Sequence, residues 1–284
     1  MDERRVRGRP VGVAGDAPDP LGEGEAALAT HWSHFGRLPG GSVHEEDGLV
    51  WFETGIRHLP YNGVVRSRLP DGSAADEAIG RVLGRMAERG ADVWWAVHPT
   101  ATPADLAERL AAFGLERVER VTFMYRDLDE LVDAPAESGL TILEVGDADT
   151  VRAYSDLTIS YWEVPPEERE AVAAIQRNVI PSGFPGRRFL ALLDGEPVAK
   201  GALSFAAPPG VAGIYGMSVL PAARGRGVAA GLTRLLLRHA RESGCRRVVL
   251  HSTDMAVSLY RRAGFTVCGE GEVFATAPIW SHDD

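Results

Sequence analysis

Valines and aromatics are interleaved with polar residues over 48–55 and 61–69, and this short-period pattern predicts two strands. The period then lengthens. Ile79, Val82, Leu83 and Met86 fall three and four residues apart, predicting a helix over 73–89 with Ser73 as a possible cap and Gly90 as its stop. A strand over 92–97, a helix over 103–113 ended by Gly114 and a strand over 117–126 complete this first series. Residues 1–25, rich in Arg, Asp, Gly and Pro and without period, read as a flexible leader. The acidic stretch 129–139, which contains Pro and Gly, reads as a boundary.

A second series follows. It predicts a strand over 140–145 and helices over 148–161 and 166–179, the latter with Glu167, Glu168 and Glu170 in its first turn after a proline pair. Strands are expected over 188–193, 197–206 and 212–219, the first two joined by the hairpin dipeptide Asp194-Gly195. A helix over 227–243 stopped at Gly244, a strand over 247–252, a short helix over 255–263 and a strand from Phe265 close the chain. Both series end on strand, short helix, glycine, apolar residue, long strand, over 93–126 and 248–276. Aligning Gly114 with Gly264 sets the offset at 150 residues, about half the chain of 284. The expectation is a tandem α/β (α+β) protein with domains at 26–133 and 140–284.

Composition narrows the classes. Hydrophobic residues at 45% and charged ones at 25% are ordinary for a globular chain, and no apolar run approaches the roughly 18 residues of a membrane span. A start lacking a signal-peptide core makes a cytoplasmic protein the default. The net charge of -10 argues against nucleic acid or an anionic membrane as partner and leans towards a cationic substrate. Two cysteines, Cys245 and Cys268, are too few for a disulfide scaffold. Lys200 is the only lysine, so arginine carries little functional information by itself.

The sharpest local feature is Arg224-Gly225-Arg226-Gly227-Val228-Ala229, set between a predicted strand and a predicted helix. Such a loop presents backbone N–H groups at the positive end of a helix and can cradle phosphate, or it is simply a tight turn. A P-loop is excluded because no Gly-Lys-Ser/Thr triplet exists. Gly225–Ala230 spells G-x-G-x-x-A, but it lies late in the chain, with Pro221-Ala222-Ala223-Arg224 between strand and glycine, which speaks against a dinucleotide fold. Met217-Ser218-Val219 followed by Arg224-x-x-Gly227-x-Ala229 resembles the pyrophosphate signature of the GNAT superfamily of acyl-CoA-dependent N-acyltransferases. Ala256-x-x-Leu259-Tyr260-x-x-x-Gly264-Phe265 resembles that family's closing helix. The resemblance covers residues 140 to about 278, essentially all of the family fold: a mixed, mostly antiparallel sheet flanked by helices.

That resemblance implies acetyl-CoA as co-substrate, no metal, and direct acetyl transfer to a primary amine of a small molecule through a tetrahedral intermediate. The strand before the loop would splay, leaving backbone groups of Met217, Ser218 and Val219 to bind the pantetheine arm and polarise the acetyl carbonyl. Arg224, Gly225, Arg226, Gly227, Val228 and Ala229 would hold the pyrophosphate, and Tyr260 would also contact the cofactor and protonate the departing thiolate. Thr253 stands where many relatives carry a CoA-contacting asparagine. The place of the usual carboxylate base falls near Gly213, so His251, Glu163, Tyr161 or a water chain must substitute. The first series matches neither motif and has Leu110 at the aligned tyrosine position, which makes it a degenerate copy. A non-catalytic acyl-CoA sensor is the alternative, and a monomer or homodimer is expected. His31-x-x-His34 has near-helical spacing but no apparent third ligand for zinc.

Overall fold

The computed structural model describes residues 19–46, 48–129, 139–206 and 209–278. Its first helix, α1 (Pro20–Gly36), begins inside the stretch expected to be a leader, so that reading fails from Pro20 onward. The cause is local. The Asp19 carboxylate accepts from the Gly22 N–H, and Pro20 opens the helix with its φ already set. Glu23 and Glu25 on the first turns are buried. Residues 1–18 and all but the ends of the expected boundary at 129–139 lie outside the described residues.

The N-terminal half continues with β1 (Ser42–Glu46), β2 (Leu49–Glu53), β3 (Gly63–Ser67), α2 (Ser73–Arg89), β4 (Trp94–Val97), α3 (Leu106–Ala112) and β5 (Glu116–Asp127). Of these only β1 lacks an expected counterpart. The C-terminal half comprises β6 (Leu140–Glu144), α4 (Ala148–Tyr161), α5 (Arg169–Val179) entered through a 3-10 turn at Pro166–Glu168, β7 (Gly186–Leu193), β8 (Glu196–Ala206), β9 (Val211–Val219), α6 (Val228–Glu242), β10 (Arg247–Thr253), α7 (Asp254–Arg262) and β11 (Thr266–Ala275). Asp194 and Gly195, with φ of 55° and 90°, form the expected hairpin turn between β7 and β8, whose twist matches that of the strands.

These strands form one sheet in the order β1-β2-β3-β4-β11-β5-β10-β9-β8-β7-β6. The order contains an exchange. β5, the last strand of the first half, lies antiparallel beside β10, while β11, the last strand of the second half, lies antiparallel beside β4. The two exchanged strands pair with each other from Thr266↔Tyr125 to Ala275↔Glu116, so each half completes the other's sheet.

On one face α1 and α5 share a core that joins Phe52, Tyr61 and Val65 of the first half to Val172, Ile175, Tyr215 and Val249 of the second. The other face carries α2 and α3 over the first half, packed on Trp51, Val64 and Trp95, and α6 and α7 over the second, packed on Ile214, Val248 and Leu250. Burying each large apolar side chain stabilises by roughly 1.5–3 kcal/mol, so the shared core binds the halves firmly. Ion pairs add direction: Glu23 of α1 meets Arg246 and Arg247, and Arg247 also holds Asp127 of β5 at 2.6 Å. Among the described residues no helix is long and apolar enough to cross a membrane.

Candidate functional site

The parallel strands β9 and β10 are joined only from Arg247↔Val211 to Val249↔Gly213, although they run on to Val219 and Thr253. Beyond that ladder they part. β9 stays paired to β8 as far as Val219↔Ala199, across a register shift between Lys200 and Ala202 opposite Gly216, whose φ is +60°. The side chains of the expected Met217, Ser218 and Val219 are half-buried or buried: Met217 joins the core under α6, and Val219 packs with Ala199 and Val228. What faces the gap is the backbone of β9, one edge of which lacks a ladder partner.

After β9 the chain turns through Pro221–Ala223 and an extended Arg224, then passes Gly225 and Gly227 with φ of 74° and 78° into α6 at Val228. Glycine is required at both places because an L side chain would strain the left-handed backbone. No side chain caps α6, so the N–H groups of its first turn, at Val228 and Ala229, have no partner within the helix and sit at its positive end. Buried Ala223 and Val228 pin the loop against Ala191, Leu193 and Ala199. Arg226 pairs with Asp194 at 3.2 Å in a largely exposed contact that contributes little stability. Arg224 is half-buried, and its charge partly offsets the rise that burial and Glu119 impose on the Tyr161 phenol.

Tyr260 on α7 is 5% exposed and sits edge-on to Phe265. Burial raises its pKa, and neighbouring Tyr161 adds to the shift, so the phenol keeps its proton at neutral pH. Tyr161 ends α4 on the opposite face of the sheet; burial and the charge of Glu119 push its pKa up to about 12. The two tyrosines approach one another where β9 and β10 have parted. Thr253 is the last residue of β10, paired with Val121, and starts α7 without a side-chain cap bond.

The expected bases fare unequally. His251 lies near Tyr215 and Phe123, with ring centroids at 5.7 and 6.1 Å, and burial assisted by His98 lowers its pKa to about 4. Its imidazole is therefore neutral but a feeble proton acceptor, which corrects the expectation of a base that titrates in the useful range. Glu163 is exposed in the link after α4, with φ of 48°, two residues from Tyr161. At Gly213 a Cβ would lie 2.3 Å from the Tyr215 ring, so that aromatic fills the space where a carboxylate was sought.

Three further residues at the gap had no role assigned from the sequence. Lys200 on β8 is 3% exposed; its Nζ donates to the Gly216 carbonyl at 3.2 Å and lies 5.1 Å from the Tyr154 ring centroid and 5.8 Å from that of Tyr161. Burial, helped by Arg188, lowers its pKa to about 7. A lone lysine inside an apolar strand was a signal. Arg188 on β7 is equally buried. Glu119 comes from β5, which continues past its last pair with β10, Thr253↔Val121, and nothing local in the sequence announces its arrival.

The corresponding place in the first half is closed. β3 and β4 share a parallel ladder of two pairs, Gly63↔Trp94 and Val64↔Trp95, and then the chain after β4 folds back into the space. The Thr102 N–H donates to the Ser67 carbonyl, and its own carbonyl accepts from the Leu69 N–H, each at 3.1 Å. Leu110 is fully buried in the apolar core. Among the described residues no three His, Cys, Asp or Glu are grouped to hold a metal, and His34 is hydrogen-bonded to Ser182 at 2.9 Å.

Residues 151–265 match the model of the acetyltransferase (GNAT) family. No curated protein matches the chain. A GCN5-related N-acetyltransferase from Kribbella flavida superposes with a TM-score of 0.63 at 20% identity, over 88% of this chain and 95% of that one. One from Sphaerobacter thermophilus gives 0.59 at 18% identity over 91% and 93%. A tandem GNAT protein from the clavulanic acid biosynthesis pathway gives 0.57 at 16% over 93% and 96%. At these identities the likeness is one of fold, and it spans both halves. The segment that carries the gap, glycine loop and closing helix thus matches the acetyltransferase (GNAT) family model, and the two-part fold of the whole chain is similar to that of these GNAT structures.

Proposed function

We propose that the second half moves the acetyl group of acetyl-CoA directly to a primary amine of a small molecule. In this reading residues 140–284 are the acetyl-CoA-binding unit, and the unit expected at 26–133, extended back to Pro20, is a degenerate partner that closes one side of the gap. The observation that carries it is the open backbone edge of β9 leading straight into the uncapped N-terminus of α6. Pyrophosphate would be held by the N–H groups of the 224–229 loop with Arg224 beside it, and the pantetheine amides would pair with Met217 and Val219 as an added strand.

The amine nitrogen attacks the thioester carbonyl, whose developing negative charge is met by a β9 backbone N–H; such a donor is typically worth about 10²–10³ in rate. The N–C bond forms, the C–S bond breaks, and the thiolate takes the phenolic proton of Tyr260. The proton lost from the amine passes to the carboxylates beside Tyr161, Glu119 and Glu163, and returns to Tyr260 through solvent, so the products are an N-acetyl amine and free CoA thiol. A primary amine must reach the gap as the free base, so turnover should rise with pH as the acceptor deprotonates.

A second reading, an acyl-CoA sensor without turnover, is favoured by one observation, the ring of Tyr215 in the place of the usual carboxylate. Thiol release from acetyl-CoA in the presence of a panel of amines separates the two. Turnover that depends on an added amine supports transfer; saturable CoA binding with no amine-dependent thiol at any pH supports the sensor.

A further inference from the structure

The second half buries two cations without an acid to answer them. Arg188 is 4% and Lys200 3% exposed, and the β7–β8 register, with Leu190 opposite Lys200 and Ala202 opposite Arg188, sets them diagonally on one face of the sheet. Both lie against the ring of Tyr154, the Arg188 Cζ at 4.9 Å and the Lys200 Nζ at 5.1 Å from its centroid. Their hydrogen bonds go to backbone carbonyls, of Gln176 at 3.3 Å and Gly216 at 3.2 Å. The groups that favour the charged form of Arg188 are the phenols of Tyr154 and Tyr61, and burial raises the pKa of both, so neither supplies an anion at neutral pH. Arg247 is a built-in contrast: equally buried, it is clamped by Glu23 and Asp127.

Burying a charge without a counter-charge is strongly unfavourable, and two like charges side by side repel as well. A further unpartnered polar atom lies in the same place. His31 of α1 is 5% exposed and stacks on Tyr215 at 4.4 Å; its Nδ1 has no hydrogen-bond partner, and it lies within the fields of both Arg188 and Lys200. The cluster also borders the gap. At Gly216, on the parted section of β9, a Cβ would lie 3.7 Å from the Tyr154 hydroxyl and 3.8 Å from the Lys200 Nζ, and Tyr161 neighbours both Lys200 and Tyr260.

We propose that the acceptor amine carries a carboxylate and that Arg188 and Lys200 receive it, so that the acceptor is an amino acid rather than a simple amine or a polycation. This rests on the acetyl-transfer reading above. A guanidinium presents two N–H groups in the spacing of two carboxylate oxygens, and the aromatic walls of Tyr154 and Phe184 suit a planar group. With Lys200 titrating near neutrality, the pair offers between one and two positive charges, which fits a monoanion better than a phosphate dianion. The net charge of -10 points the other way, but it is summed over the whole chain, while the charge lining the gap is what a ligand meets.

The test is acetyl-CoA-dependent thiol release with three matched sets: the common amino acids, the amines made from them by decarboxylation, and phosphoethanolamine. It is run on the whole chain and on R188M and K200M, alongside thermal melting with and without each amine. At least one amino acid should exceed its decarboxylated partner in kcat/KM by on the order of 10²-fold, and R188M should erase that preference chiefly through KM. R188M and K200M, relieved of an unanswered charge, should melt at or above the parent temperature; a clear fall in both would make the cations structural and overturn the proposal. Equal turnover of the decarboxylated amines, or preference for phosphoethanolamine, would also overturn it. Amino-acid-dependent stabilisation lost in R188M but without turnover would keep the anion site and reject acetyl transfer. Neither turnover nor stabilisation would reject both.

Discussion

The two halves solve the same geometric problem in opposite ways. Each has a pair of parallel strands that stay together for only two or three residue pairs before diverging. In the first half the chain after β4 turns back, and Thr102 occupies the open edge with hydrogen bonds to Ser67 and Leu69. In the second, β10 runs directly into α7 and leaves the edge of β9 exposed to whatever can pair with it. Buried backbone donors must find partners. One half therefore satisfies them from within, while the other depends on solvent or a ligand. The first half thus has a filled gap where the second has an open one.

Helix entry differs in the same sense. α6 is entered through two left-handed glycines beside Arg224 and Arg226, whereas α2 is entered at Gly72, whose carbonyl accepts from Arg109. The largest effect should therefore separate these two glycines. Gly227→Glu, which adds a carboxylate and backbone strain at the loop, should weaken CoA binding by more than about 100-fold in calorimetry, since it sets like charge against phosphate at short range. Gly72→Glu should leave the affinity unchanged. Equal losses would break the comparison. Tyr260→Phe should lower kcat by about 10²-fold with CoA affinity intact, the usual scale for losing a positioned acid; Leu110→Tyr should restore nothing, because that site faces a closed core.

Smaller effects probe the joint between the halves. Glu23→Gln removes the acid that α1 offers to Arg246 and Arg247, and should cost about 1–3 kcal/mol in urea unfolding because Arg247 remains buried. Acid should loosen the same joint. His251 and His98 titrate at about 4 when folded and near 6.5 when unfolded, so between those values the unfolded chain binds more protons. Their contribution to stability is complete above pH 6.5 and declines as pH falls towards 4, at up to about 1.4 kcal/mol per pH unit for each ring. His251→Phe should flatten that slope measurably; an unchanged slope would show that other groups govern it.

Much of this was legible residue by residue. The hairpin at Asp194-Gly195, the stop of α2 at Gly90 and the loop into α6 follow from backbone preferences that act over two to four residues, and the structure places each where the pattern does. The helix beginning at Pro20 was missed although Asp19-Pro20 is itself a start signal, because the surrounding Gly, Asp and Pro masked it. His251 looked like a candidate base because its type titrates near neutrality, but only its neighbours set its pKa.

By itself the sequence determined the elements from β2 onward, the glycine loop, the position of Tyr260 and the existence of two similar series, since these depend on side-chain period and local φ preferences. The tertiary structure alone decided that β5 and β11 change places, that Glu119 of one half borders the gap of the other, that Thr102 seals the first gap, and that Arg188 and Lys200 face each other's neighbourhood without an acid. The reason is physical. A strand's own pattern says which face it buries, but not which strand lies beside it, and the energy of a charge depends on that neighbour.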